Sequence, residues 1–279
     1  MAVANITQTT AAKLLSEIWS DQPEYAVNNT RGFTKSIWDT GETYFGPGFK
    51  VHIPIVGTIA ASSYSGSVAN VIANTETEIT ATPTVKYTAV YIQEDVEQTT
   101  AYPTVRTYTP ALAEGLYQQV DIDGLSLFAG FTSNDSTDAA DFTAATFHGL
   151  MSKIVSNGGD KVQLGQLDGW YHPLKWDTIM GIADFYSAAV RGEGNSAAKT
   201  GNLGMAFGMN FNFTKNVQTS TTLRNLIVSK KSMILVRKNR PKIEMERSDL
   251  LTKVVASTMY AIVVLHEATG GMHRITTTT

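Results

Sequence analysis

Cysteine is absent from all 279 residues. That absence removes disulfide scaffolds, thiolate zinc sites and cysteine nucleophiles from consideration. An excess of positive charge is missing too. The 22 basic and 25 acidic residues leave a net charge of −3, so the overall field is not that of a protein that grips nucleic acid, and any contact with a polyanion must be local. No apolar run approaches the roughly 18 residues of a membrane span. The opening segment MAVANITQTTAAKLL has neither a basic start nor an apolar core of about 7 to 15 residues, so a secretory signal is not expected. The glycosylation triplets at Asn5, Asn28, Asn134 and Asn212 are then chance matches, and a cytoplasm-like compartment is the expectation.

Catalytic patterns are equally scarce. His52, His148, His172, His266 and His273 show no HExxH spacing and no neighbouring carboxylate cluster, so no metal is expected. Asp121 and Asp123 before Gly124 resemble the start of a calcium loop, but the terminal Glu and intervening oxygens are absent. GEGNSAAKTG, with Lys199 and Thr200, lacks the backbone cradle of a phosphate loop because Glu193 and Ala198 stand where that motif needs glycine. No GxSxG elbow occurs. Neither an enzyme nor a cofactor site is indicated.

What is present is a chain with 43% hydrophobic residues, enough to bury a sizeable core in one large domain or two smaller ones. Its most informative stretch runs from Val51 to Ile92. Val51, Ile53 and Ile55 alternate with polar positions, as do Val85, Tyr87, Ala89 and Tyr91, a period of two that reads as strand. Residues 57–84 between them are mainly Ala, Ser, Thr, Gly and Asn, with Ile59, Tyr64, Val68, Val71, Ile72 and Ile79 spaced too far apart to cover one another. So long a connection inside a compact domain is usually functional or disordered. Alternation resumes over Thr75–Ala81, so the segment reads as a protruding two-stranded arm or as a mobile surface loop.

Upstream, residues 1–35 read as an arm with a short helix over Thr10–Trp19, capped by Thr9 or Thr10 and carrying Leu14, Leu15, Ile18 and Trp19 on one face. Residues 30–50 read as extended chain packed on a support. Downstream, Tyr108, Leu112, Leu116 and Val120 recur every fourth residue. They predict a helix over 109–130, about 30 Å long, with Thr109 as cap and Pro110 in the first turn. Then follow a helix over Thr146–Ser156, a strand over Gly169–His172, a helix over Lys175–Val190, and strands over Met205–Phe213, Leu226–Val228 and Met233–Val236. This alternation reads as a mixed α/β unit. The closing apolar run Val254–Leu265 reads as a buried strand returning to the sheet beneath the long helix.

This order, with YTAVYIQEDVEQTT (Tyr87–Thr100) ahead of a helix containing LYQQVDIDGL (Leu116–Leu125) and the closing YAIVVLHEA (Tyr260–Ala268), resembles the major capsid proteins of tailed bacteriophages, with the Hong Kong 97-type fold. The resemblance covers nearly the whole chain. It implies an α+β capsid fold with an N-terminal arm (1–35), a peripheral domain (36–145) holding an extended β-hairpin loop (51–92) and a long spine helix (109–130) on a sheet, an inserted mixed α/β axial domain (146–250), and a return to the peripheral domain (251–279). It implies no catalysis. The implied function is self-assembly through pentamers and hexamers into an icosahedral virion shell around double-stranded DNA, put together in the host cytoplasm. Implied partners are other copies of the chain, a portal protein at one vertex, packaged DNA held non-specifically and, in some relatives, a decoration protein. No membrane is involved. Residues 51–85 hold no Lys, so the lysine crosslink of some relatives is not expected, and a chain that reaches the arm at once implies a separate scaffolding protein. Inter-subunit contacts are expected at Trp19, Tyr64, Ile72, Ile79, Arg237, Lys238 and Arg240.

Basic residues crowd the segment Arg224–Arg247: Arg224, Lys230, Lys231, Arg237, Lys238, Arg240, Lys242 and Arg247, against Glu244 and Glu246. They read as solvated strand ends, as contacts to neighbouring subunits, or as a salt-sensitive contact to packaged DNA. The acidic total favours subunits over DNA. Within the same fold the alternative is an encapsulin-like compartment. From another class it is a surface-binding β-rich adhesin, which would bring a secretion signal and short-strand repeats, neither of which is found.

Overall fold

The computed structural model describes residues 32–43, 48, 50–56, 76–94, 104–134, 142–182, 205–219, 222–248 and 251–276. The apolar run near the C-terminus becomes the middle of a sheet. β11 (Leu251–Val264) pairs antiparallel with β10 (Met233–Ser248) on one side and with β4 (Thr84–Gln93) on the other. β1 (Trp38–Thr43) adds in parallel to β10, giving the order β1-β10-β11-β4. Alternate residues of β11 divide the labour. Val254, Ala256, Thr258 and Tyr260 are buried on the face covered by α1 (Thr104–Leu125), which rests on β4 and β11. Leu116, Val120 and Leu125 of α1 close that core against Phe33, Leu235 and Tyr260.

The opposite face of the same sheet carries the hairpin. β2 (Val51–Val56) and β3 (Glu76–Ala81) pair antiparallel, with Ile53 opposite Ile79 and Val51 opposite Ala81. Their inward side chains pack on Ile234, Val236, Ala261, Val263 and Leu265. The alternation read in the sequence is thus a half-buried two-stranded ribbon lying against the sheet, while residues 57–75, Tyr64 and Ile72 among them, lie outside the described residues.

A second sheet, ordered β5-β12-β9-β6-β8-β7, is built from β5 (Ser133–Asn134), β6 (Leu167–Tyr171), β7 (Met205–Ala206), β8 (Met209–Phe213), β9 (Thr222–Ser229) and β12 (Gly270–Thr276). α2 (Ala144–Gly158) starts at a reciprocal capping box between Thr143 and Thr146, which satisfies two otherwise orphaned N–H groups. It buries Phe147, Leu150, Met151 and Ile154 against Tyr171, Met209 and Ile275. The chain crosses between the sheets through the long helix on its way from β4 to β5, at the β9–β10 turn and again after β11, and one fully buried residue ties the last two crossings. The Ser232 carbonyl accepts from the backbone N–H groups of Leu265 (2.8 Å) and His266 (3.2 Å). Its hydroxyl accepts from Ser229 N–H and donates to the Thr269 carbonyl, each at 2.8 Å.

Several expectations need correction. The spine helix begins at Thr104, not 109, and ends at Leu125, the last residues to Gly130 tightening into a 3₁₀ turn. Pro110 lies inside it, where the loss of one bond to the 106 carbonyl is offset by packing on the sheet. The strand expected over Met205–Phe213 is a hairpin. Phe207 (φ 51°) and Gly208 (φ 79°) turn the chain between β7 and β8, the positive-φ pair that a two-residue type I′ loop requires. The helix expected over Lys175–Val190 is a 3₁₀ turn over Pro173–Lys175 followed by the short α3 (Trp176–Met180). Residues 183–204 and 1–31, including the helix expected over Thr10–Trp19, lie outside the described residues. β12 had no expectation at all. The sheets also divide the chain differently from the boundary drawn at residue 250: β10 belongs to the sheet under the spine helix, and β12 to the six-stranded one.

Candidate functional site

The sheets define three surface regions. The first is the outer strand β4. It ends the four-stranded sheet, and alternate side chains of the strand lie on the face opposite α1. Val85, Tyr87 and Tyr91 point there, Tyr87 being 70% and Tyr91 62% exposed. Large apolar side chains aligned along an edge strand invite a partner. Lys253 lies 5.8 Å over the Tyr91 ring. On the other face of β4 the contacts are internal. Thr88 donates to the Leu112 carbonyl (3.1 Å) and Lys86 pairs with Asp123 at 3.0 Å.

The second is the hairpin. Val51, Ile53, Ile55 and Ile79 face the body, while His52, Pro54 and Val56 face outward, with His52 Nδ1 3.3 Å from Glu78 Oε1. Ile79, expected at a subunit contact, is therefore placed in a partly buried cluster within its own chain.

The third is the basic segment. Arg237 pairs with Asp39 at 2.9 Å, Lys238 Nζ donates to the Gly48 carbonyl at 2.6 Å, Lys242 pairs with Glu244 and Arg247 with Glu94. Arg224 lies 4.7 Å above the Phe128 ring. These charges are distributed among in-chain partners and not gathered into one open basic field. Lys230 and Lys231 stand exposed on the β9–β10 turn. Arg240 is in β10, and Trp19 lies outside the described residues.

The two spine carboxylates serve the fold. Asp123 accepts from the Tyr260 hydroxyl and from Gln119, each at 2.7 Å. Burial and this carboxylate hold the Tyr260 phenol far above its usual range. Asp121 is buried and accepts from Gly32 N–H at 3.3 Å. The histidines are dispersed, and no group of three His, Cys, Asp or Glu that could hold a metal occurs among the described residues. Burial lowers the His172 pKa, with Lys215 adding to the effect. His266 is lowered by burial and by Lys161 and Lys231. His273 sits fully buried with its ring edge-on to Phe142 and Phe147. Among the described residues no helix is long and apolar enough to cross a membrane.

No family model matches the chain, and no curated protein matches its sequence. Its shape does have relatives. It is similar to the capsid of cyanophage P-SCSP1u at a TM-score of 0.75 and 15% identity, covering 99% of this chain and 97% of that one. The structure from Mycobacterium phage Che8 aligns at 0.72 and 16%, over 92% and 96% of the two chains. The capsid of native GTA particle aligns at 0.73 and 8%, over 99% and 100%. The chain has the tailed-phage major capsid protein fold. Within this capsid fold, the sheet under α1, the ribbon across its back and the six-stranded sheet all fall inside the aligned lengths. The faces that sequence reading missed, the Val85, Tyr87 and Tyr91 stripe above all, were visible as a strand but not as an exposed side, because alternation alone does not say which side is covered.

Proposed function

We propose that this chain is a major capsid protein that assembles through pentamers and hexamers into a closed icosahedral shell around double-stranded DNA, inside the host cytoplasm, without catalysis. One observation carries the reading: the likeness to capsid structures extends over 92–99% of the chain. The four-stranded sheet with α1 would serve as the peripheral body and the six-stranded sheet as the axial one. Trp19, Tyr64, Ile72, Ile79, Arg237, Lys238 and Arg240 remain proposed contact residues, joined by Val85, Tyr87 and Tyr91. Obligate interfaces commonly bury about 2,000 Å² or more, and arms laid over neighbours reach that area without enlarging each core. A scaffolding protein, a portal, non-specifically held DNA and a decoration protein complete the proposed set of partners.

Negative-stain electron microscopy with size-exclusion chromatography, on the chain expressed alone and together with a scaffolding protein, tests this. Uniform shells, or rings of five and six that close into shells, are expected. A monomer under every condition would overturn the reading.

A further inference from the structure

A groove lies between the spine helix and β10, at a break in strand register. Between the pairs Arg237–Tyr260 and Ile243–Ala256, β10 carries two residues more than β11. Pro241 falls in this surplus. Such bulges bend a strand, disrupt its ladder and are common beside functional sites. Leu116, Tyr117 and Val120 of α1 form one wall of the groove, Pro241 and Ile243 the other, and Ala256 the floor, enclosing about 220 Å³. Tyr117 and Ile243 stand at its open mouth, 51% and 43% exposed. Two cations reach the rim, yet neither is left for a ligand to neutralise, since Arg237 pairs with Asp39 and Lys242 with Glu244.

One polar group in this apolar lining stands apart. Thr258 sits on β11 beside the bulge and is only 3% exposed. Its hydroxyl bonds to no described residue and is not sealed from the groove that the side chain lines. A buried hydroxyl without a partner is costly, and most such groups in folded proteins are bonded. Size and charge then define what would complete it. A dry cavity of about 150 Å³ accepts benzene, whereas most ligand pockets enclose about 300 Å³ or more, so this groove suits a molecule of one or two rings. With both rim cations already paired, a neutral molecule fits, and Thr258 supplies it a single hydrogen-bonding position.

We propose that the groove between α1 and the β10 bulge is a binding site for a compact, neutral aromatic molecule carrying one hydroxyl, which bonds to the Thr258 hydroxyl while the ring packs between Leu116, Val120 and Ile243. Apolar walls with very few placed polar groups are the usual construction of small-molecule sites. The site belongs to the single subunit, and it stands whether or not the chain forms shells.

Two probes of nearly equal shape test it, p-cresol and p-xylene, which differ by a hydroxyl in place of a methyl. The affinity of the full chain for each is measured by saturation-transfer NMR on the ligand signals, at millimolar concentration. Both probes are expected to bind. Thr258→Val exchanges hydroxyl for methyl at constant shape, and it should lower the ratio of p-cresol to p-xylene affinity at least about fivefold, the worth of one hydrogen bond. The hydration cost of the probe's own hydroxyl cancels in this comparison. Thr258→Ser should keep the parent ratio. Ala113→Phe fills the groove from the helix side and should displace both probes, with urea unfolding of each variant showing that the fold is kept. Failure of the parent to bind either probe would overturn the proposal. So would a ratio unchanged in Thr258→Val, or binding undiminished in a folded Ala113→Phe chain, since the probes would then sit elsewhere.

Discussion

Trp170 of β6 donates its indole N–H to the Ser36 hydroxyl at 3.1 Å, both groups buried. The bond ties the segment just ahead of β1 to the six-stranded sheet, and Phe33 meets the same indole edge-on at 5.5 Å. The N-terminal part of the described chain is thus pinned where both sheets and the spine helix meet.

Removing the acceptor leaves a buried donor without a partner. Ser36→Ala is expected to cost about 1–3 kcal/mol in urea unfolding. In a Trp170→Phe background the same substitution should cost much less, the non-additivity of two groups in direct contact.

Gly124 faces Phe33 so closely that an added Cβ would overlap the ring. On propensity alone, Gly124→Ala should stabilise α1 by about 1 kcal/mol. Overpacking of this kind costs about 1–3 kcal/mol, so the expected net result is a lower Tm. Phe33→Leu in the same chain should restore part of the loss, whereas a rise in Tm for the single variant would show that Phe33 yields freely.

His172 is buried, and its Nδ1 accepts from Leu174 N–H at 3.1 Å, closing the turn after β6. Burial, and then Lys215, lower its pKa from the ordinary 6.5. The unfolded chain therefore takes up the proton first. The stability is complete above pH 6.5, declines as pH falls below that value and levels off once the folded state is protonated. His172→Asn keeps a side-chain acceptor for the turn and does not titrate. Its stability measured in urea against pH should be flatter below 6.5, with a residual slope from His266, whose pKa is also lowered.

Tyr87 and Tyr91 make few demands on their own chain. Tyr87→Glu with Tyr91→Ser should leave unfolding within about 0.5 kcal/mol of the parent, as exposed substitutions do, while sharply reducing shells counted by electron microscopy. Equal losses of stability and assembly would place these rings in the fold and not at a contact.

Much of the fold was legible wherever one face of an element was wet. The alternation of Val51, Ile53 and Ile55 against His52 and Pro54 became β2 with that same division of faces, and the run ending at Leu265 became the strand under the spine helix. Legibility failed where local signals compete with packing. Thr109-Pro110 reads as a helix start, yet contact with β4 and β11 carries the helix a turn and a half further back. Met205–Phe213 reads as continuous, because an aromatic residue at positive φ, Phe207, leaves no trace in hydrophobic period. Glycine-led β12 holds few large apolar residues and is fixed by its pairing with β9, a long-range partner that sequence period does not reveal. The surfaces were less legible still, since exposure depends on what a neighbouring element happens to cover.

Ser232 gives the two sheets a mechanical relationship. The β9–β10 turn and the crossing after β11 pass through one buried knot of hydroxyl, N–H and carbonyl groups. A displacement of β10 or β11 close to Ser232 is therefore felt by β9 and by the segment leading into β12 through the same few hydrogen bonds, which makes this residue the mechanical junction of the two sheets.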